Sequence, residues 1–147
     1  GAFALIPYGL KEYLLNFSAP LIYSTTLPEA HAAMALAALK IVETSDDRRR
    51  RLLQASAAMR EGLIHNGFRV SGDAHILALE IGDETRAAAL SQYLLEKNIF
   101  VLAARYPTVP LGHAILRINM TALHDERDIK LFIRTVVEGY GKLNIIQ

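Results

Sequence analysis

The chain has 147 residues, 52% of them hydrophobic, and a net charge of +1 with acids and bases interspersed, so it carries no footprint for nucleic acid and no field to steer a polyanion. It has no cysteine, which excludes disulfides, zinc–thiolate sites and thiol nucleophiles. No apolar run approaches the ~20 residues that span a bilayer and no signal peptide is read, yet so many apolar residues call for a partner surface or a further domain.

Gly1–Ile6 (GAFALI) reads as a buried strand. Leu10, Tyr13, Leu14 and Phe17 recur at helical spacing within Tyr8–Phe17, and Ser18-Ala19-Pro20 breaks that pattern. Leu21–Ser24 (LIYS) reads as a short buried strand. Pro28 suits the first position of a helix, and Glu29 favours its positive end. From there to Thr44 the chain is alanine-rich and apolar on nearly every side, which predicts a helix buried all round. Ser45-Asp46-Asp47 starts a new helix or bends a long one. Beyond it Leu52, Leu53, Met59, Leu63 and Ile64 form one stripe, and Asn66-Gly67 closes the run with a left-handed cap. The boundary between two units falls near Thr44–Arg51, giving 1–44 and 45–147.

The second part alternates. His75–Ile81 is a predicted strand with His75, Leu77, Leu79 and Ile81 on one face. A helix runs from about Glu84 to Lys97 and Asn98 stops it. Ile99–Ala103 is a strand, Arg105–Gly112 a proline-containing loop. Ala114–Thr121 is a strand that splits cleanly: Ala114, Leu116, Ile118 and Met120 face one way, Ile115, Arg117, Asn119 and Thr121 the other. The last helix begins near Asp125, with a stripe of Ile129, Phe132, Ile133, Val136, Val137 and Tyr140, and Gly139 and Gly141 fraying its end. Three strands and three amphipathic helices make a small α+β layer, an antiparallel sheet with helices on one face.

Arg117 is the leading candidate for binding. A lone cation among Ile115, Leu116 and Ile118 is either half of a structural ion pair or a clamp for a carboxylate, whose two oxygens a planar guanidinium holds at once. Asn119 and Thr121 extend a polar strip on its face. The prolines of Arg105-Tyr106-Pro107-Thr108-Val109-Pro110 make either a stiff connection or a rigid pocket wall presenting Arg105, Tyr106 and Thr108. Ser24-Thr25-Thr26, before a helix start, is a plain N-cap or a phosphate site. Arg48–Arg51 reads as a solvated helix face. The five histidines have no metal-ligand spacing; His75 belongs at a strand edge and His124 in the turn before the last helix.

Two stretches, LIYSTTLPEAHAAMALAAL (Leu21–Leu39) and YPTVPLGHAILRINMTALHDERDI (Tyr106–Ile129), resemble the α-oxoamine synthases of the fold-type I pyridoxal-phosphate aminotransferase superfamily. HILALEIGDE and LLEKNIFVLAARYPTVP follow at matching order and spacing, so the resemblance covers essentially the whole chain. It implies the C-terminal portion of a longer cytoplasmic, homodimeric enzyme: residues 1–44 a remnant of the large cofactor-binding domain and the start of a connecting helix, residues 45–147 the small domain. It implies an acyltransferase that uses pyridoxal 5'-phosphate to condense an amino acid with an acyl thioester with loss of carbon dioxide. The Y-S-T-x-x-P and R-x-P-T-V-P forms lean to the branch that joins alanine to a pimeloyl thioester, on coenzyme A or a carrier protein, in biotin synthesis. A branch that uses glycine and acetyl-CoA is the alternative, and a non-catalytic interaction domain derived from this fold is another. By position, Arg117 matches the arginine for the amino-acid carboxylate, Thr25 with Ser24 beside it the hydroxyl that reaches the cofactor phosphate of the neighbouring subunit, and Tyr106–Pro110 a wall of the acyl-substrate entrance, with Arg105, Tyr106 and Thr108 as its substrate-binding residues. Gly1-Ala2-Phe3 matches the segment after the Schiff-base lysine. Lys11, Lys40, Lys97, Lys130 and Lys142 do not match that lysine's place, so no catalytic residue is assigned within the chain and the isolated piece is expected to be inactive. No metal, nucleic acid or membrane partner is implied.

Overall fold

The computed structural model describes residues Ala4–Asn144, which divide into two compact units meeting at Asp46/Asp47 in sequence. The first unit is helical. Tyr8–Phe17 forms α1, with Tyr13 and Phe17 one turn apart and their rings stacked at 4.9 Å. The strand expected at Leu21–Ser24 is instead a single helical turn, α2 (Ala19–Ile22), with Pro20 in its first turn. The fixed φ of proline suits that position, and a helical turn satisfies its backbone without a neighbouring strand. Residues 4–6 have no regular structure, and the rest of the strand expected over Gly1–Ile6, with the Gly1-Ala2-Phe3 match, lies outside the described residues.

The alanine-rich helix is α3 (Glu29–Glu43), and Pro28 is its cap rather than its first residue. The expectation that it is buried all round is not met: none of its residues is buried, and Met34, Leu36, Ile41 and Val42 are all more than half exposed. Apolarity on every side asks for a neighbour on every side, and α1 and α2 do not supply one.

The second unit opens with α4 (Asp46–His65), whose buried line is Ser56, Met59 and Leu63, with Leu52 and Ala55 packed against the core. Leu53 and Ile64, expected in that stripe, are about half exposed because they fall on the neighbouring face. Gly67, at φ 86, ends α4: its N–H donates to the Ile64 carbonyl at 2.9 Å and the Phe68 N–H to the Leu63 carbonyl at 3.2 Å. This is the double bond pattern of a left-handed cap, and Phe68 and Leu63 share the core.

Among the described residues four strands, not three, make one antiparallel sheet: β1 (Val70–Ser71), β2 (Ile76–Gly82), β3 (Leu102–Ala104) and β4 (Ala114–Asn119), in the order β1-β2-β4-β3. The central pair sets Leu77 opposite Ile118 and Leu79 opposite Leu116. These inward side chains pack against α5 (Glu84–Glu96) and α6 (Glu126–Lys142), whose Leu90, Leu94, Phe132 and Val136 are buried. The helices lie on one face of the sheet, and the other face is open. His75 lies outside the core face, where Leu77 and Leu79 are buried, and its carbonyl receives the Met120 N–H at 2.7 Å.

Both helices start as their acids dictate. Asp83 caps α5 by accepting from the Arg86 N–H at 2.8 Å. Asp125 and Asp128 cap α6 reciprocally, each carboxylate accepting an N–H of the other at 3.0 Å. The Asp128 and Arg127 amides hold the Asp125 carboxyl below the usual carboxylate range. Gly139 does not fray α6. It is buried within the helix, where a Cβ would come within 2.6 Å of Leu90 Cδ1 and 2.9 Å of Tyr93 Cδ1. Val137, placed in the apolar stripe by its spacing, is instead exposed. Near the helix end the Tyr140 hydroxyl donates to the Glu80 carbonyl at 3.3 Å, and burial pushes its pKa up to about 12.

Candidate functional site

Arg117 is in the centre of β4, on the open face of the sheet, because β4 alternates and the even-numbered residues are taken by the core. Its cross-strand neighbours are Ala78 on β2 and Leu102 on β3. It forms no ion pair among the described residues, so the structural-pair reading of this cation is not what the fold shows. Glu80, on the same face of β2, pairs instead with Arg69 at 3.2 Å.

Arg117 lines a cleft of about 410 Å³ that runs from the sheet towards α6. Asn119, the last residue of β4, and Thr121 and His124, which follow the strand, also line the cleft. His124 is in the expected turn, fixed by its Nδ1, which accepts the Thr121 N–H at 3.2 Å. Asp128 also lines the cleft, but its carboxylate is engaged in the α6 cap. Ile99, Phe100, Leu102 and Leu131 add apolar surface to the cleft. The arrangement is a single uncompensated guanidinium beside hydrocarbon, with neutral hydrogen-bonding groups next to it. Such a site suits a small carboxylate carrying other polar groups, because a planar guanidinium can bond both carboxylate oxygens at once.

Arg105, Tyr106 and Thr108 are not among the residues of this cleft. They belong to the loop that leaves the sheet where Ala104 pairs with Ile115, whereas the polar strip extends towards Asn119 and Thr121, past the opposite side of Arg117. All three side chains are exposed, and the Tyr106–Pro107 peptide is cis.

Ser24 and Thr25 are in the first unit, between α2 and α3, and both are exposed. The Ser24 hydroxyl donates to the Pro20 carbonyl at 2.5 Å. The plain N-cap reading fails here, since Pro28 occupies the cap and no side chain caps α3. The Thr25 hydroxyl has no hydrogen-bond partner among the described residues. Hydroxyls ahead of an uncapped fifteen-residue helix are a donor set that fits a phosphate group.

Among the lysines, Lys130 pairs with Glu126 at 2.6 Å, and Lys97 and Lys142 lie over the Tyr93 ring. No group of three or more His, Asp or Glu side chains among the described residues could hold a metal ion, and no described helix is long and apolar enough to cross a membrane. The sequence reading missed Phe100 and Leu102 as neighbours of Arg117. Leu102 follows from strand pairing and Phe100 from the cleft beside it, and neither leaves a local signal.

The family model described as aminotransferase class I and II matches residues 1–136. The 8-amino-7-oxononanoate synthase of Anaeromyxobacter dehalogenans (strain 2CP-C) is 40% identical over 139 residues, 94% of this chain and 35% of that protein. The enzyme of the same name from Pseudomonas entomophila (strain L48) is 38% identical over 145 residues, 97% of this chain and 37% of that protein. Among solved structures, 8-amino-7-oxononanoate synthase from Francisella tularensis matches 95% of this chain and 41% of its own with a TM-score of 0.81 at 26% identity. A serine palmitoyltransferase from S. paucimobilis, with a bound PLP–myriocin aldimine, matches 95% of this chain and 36% of its own with a TM-score of 0.85 at 27% identity. The chain spans about a third of the length of the curated relatives it matches.

Proposed function

Since the chain belongs to the aminotransferase class I and II family, we propose that it is the C-terminal part of a longer pyridoxal-phosphate-dependent acyltransferase that condenses an amino acid with an acyl thioester and releases carbon dioxide. The observation that carries this reading is Arg117, an uncompensated cation on an open sheet face at the rim of a cleft. Residues 1–44 are then a remnant of the large domain and residues 45–147 the small domain.

In this reading Arg117 holds both oxygens of the amino-acid carboxylate and fixes the substrate's orientation, which a single-point contact would not do. Asn119 and Thr121 offer hydrogen bonds within the same cleft, and Phe100 and Leu102 bring hydrocarbon to it. Arg105, Tyr106 and Thr108 form a wall of the acyl-thioester entrance. Thr25, with Ser24, holds the phosphate of the cofactor, assisted by the uncapped start of α3. Pyridoxal phosphate, when bound, supplies the electron sink for a carbanion.

Relatives named 8-amino-7-oxononanoate synthase, together with the Y-S-T-x-x-P and R-x-P-T-V-P forms of the resemblance, favour alanine and a pimeloyl thioester as substrates, as in biotin synthesis. The exposed apolar surfaces of α1 and α3 favour a homodimer whose second copy and remaining domain cover them. The cytoplasm supplies these substrates, and the chain on its own is inactive. Product identification with the full-length protein tests the reading. An amino-oxo acid from alanine and a pimeloyl thioester supports it, a product of glycine and acetyl-CoA moves it to the neighbouring branch, and a protein that binds neither cofactor nor amino acid is a non-catalytic domain.

A further inference from the structure

The loop Arg105–Gly112 is closed on itself by local turns. The Thr108 and Val109 N–H groups donate to the Arg105 carbonyl at 2.8 and 3.3 Å, and the His113 N–H donates to the Pro110 carbonyl at 3.1 Å. Turns of this kind shape a loop but do not fix its direction against the rest of the domain. A longer-range bond does that: the Gly112 N–H donates to Glu84 Oε1 at 2.8 Å, across 28 residues of sequence. Glu84 is the first residue of α5, which packs against β2, β3 and β4 and so gives a rigid base. The cap of α5 is made by Asp83, which leaves the Glu84 carboxylate for the loop. Gly82, at φ 86, stands at the register shift between β2 and β4, and a Cβ there would be in ordinary contact with the Gly112 carbonyl oxygen at 3.6 Å, so the loop end lies close to the strand that leads into α5.

We propose that Glu84 is a positioning residue for the acyl-thioester wall. Its carboxylate holds the outgoing end of the loop and thereby sets the direction in which Arg105, Tyr106 and Thr108 are presented. The proposal rests on the assignment of that loop to the acyl-thioester entrance. A charged acceptor makes the bond to Gly112 about twice as strong as a neutral one. Loss of the acceptor frees the loop without touching Arg117, which stands on the strand and not in the loop.

The test uses the full-length holoenzyme with Glu84→Ala and Glu84→Gln. In Glu84→Ala the Gly112 amide is expected to exchange its hydrogen about tenfold faster, and the KM for the acyl thioester to rise by roughly three- to tenfold, as the loss of one charge-assisted bond predicts. The amino-acid KM and cofactor occupancy stay unchanged. Glu84→Gln restores both quantities towards the parent values, because its amide oxygen accepts the same N–H. Were Glu84 acting only on the α5 dipole, Glu84→Gln would behave like Glu84→Ala, and the proposal would be overturned. Unchanged exchange at Gly112 in Glu84→Ala also overturns it, as does faster exchange with an unchanged acyl KM. These failures leave a working enzyme that makes its product. Failure of the enzymatic reading itself shows as no product from any amino acid and acyl thioester, and takes this proposal with it.

Discussion

Arg117 stands directly across the β3–β4 ladder from Leu102. A cation and a half-exposed alkyl side chain therefore share one wall of the cleft. Leu102 brings hydrocarbon to one side of the guanidinium, and Ala78, across the other ladder, is too small to cover it. The result is a fork that remains accessible, with hydrocarbon beside it on one side.

Arg117→Lys is the sharper test of the clamp than Arg117→Ala. Lysine keeps the charge but loses the planar pair of donors, so one of two carboxylate bonds goes. In the full-length enzyme we expect the amino-acid KM to rise about tenfold in Arg117→Lys and up to about a hundredfold in Arg117→Ala, following ~1.5–3 kcal/mol for bonds to a charged group. Cofactor occupancy should stay constant. An amino-acid KM unchanged in both variants removes Arg117 from the site.

What could be read from the sequence is what depends on near neighbours in the chain. The period-two split of β4 put Arg117 and Asn119 on one face, and the structure has both exposed there, but the strand ends at Asn119, short of the expected Thr121. Asp125 and Asp128 announced the start of α6, and Asn66-Gly67 the end of α4. The errors concern burial and distant pairing. Leu21 and Ile22 look like a buried strand by composition, but strand needs a partner, and a single helical turn does not. The apolarity of α3 says that something covers it, not what. β1 has two residues and no pattern of its own; it is defined by pairing with Ala78 and Leu79. The bond between Glu84 and Gly112 joins segments with no shared periodicity.

Thr25→Ala should loosen the cofactor without changing the affinity for amino acid once cofactor is saturating. One hydroxyl donating to a phosphate contributes about 1–2 kcal/mol, so cofactor Kd should rise roughly five- to thirtyfold. Equilibrium dialysis of pyridoxal phosphate against the apoenzyme measures this directly. The same Kd in Thr25→Ala and the parent would remove Thr25 from the phosphate site. Ser24→Ala is expected to have the smaller effect, because the Ser24 hydroxyl already donates its proton to Pro20.

Two helical glycines should respond differently to the same change. At Gly62 a new Cβ meets Ile133 Cδ1, the far end of a half-buried side chain that can swing aside. Alanine's helix propensity, worth up to about 1 kcal/mol over glycine, then decides the sign, and Gly62→Ala should be neutral or slightly stabilising. At Gly139 a Cβ meets Leu90, which is fully buried, and the edge of the Tyr93 ring. Overpacking there costs about 1–3 kcal/mol and outweighs the propensity gain. Urea denaturation of the two variants should show Gly139→Ala to be the less stable by at least about 1 kcal/mol, and equal midpoints would contradict the close packing of α5 on α6.

Tyr140 gives a pH dependence of known sign. Its hydroxyl has a pKa of about 12 in the folded chain, raised chiefly by burial, with the nearby Arg69 charge pulling it partly back. Unfolded, it titrates near 10. Between these values the unfolded chain releases a proton that the folded chain keeps, so stability falls as pH rises. The contribution is fully present below pH 10 and is lost progressively between about pH 10 and 12. The comparison is made against Tyr140→Phe, which retains the ring edge on Phe68 and removes the ionisable group. At neutral pH Tyr140→Phe should lose no more than about 1 kcal/mol, since the bond to the Glu80 carbonyl is long at 3.3 Å. From pH 10 upward its melting temperature should decline less steeply than that of the parent. Parallel curves for the two proteins would mean that the phenol titrates in the folded chain as it does in water, and that the ring is not buried between Phe68 and the sheet.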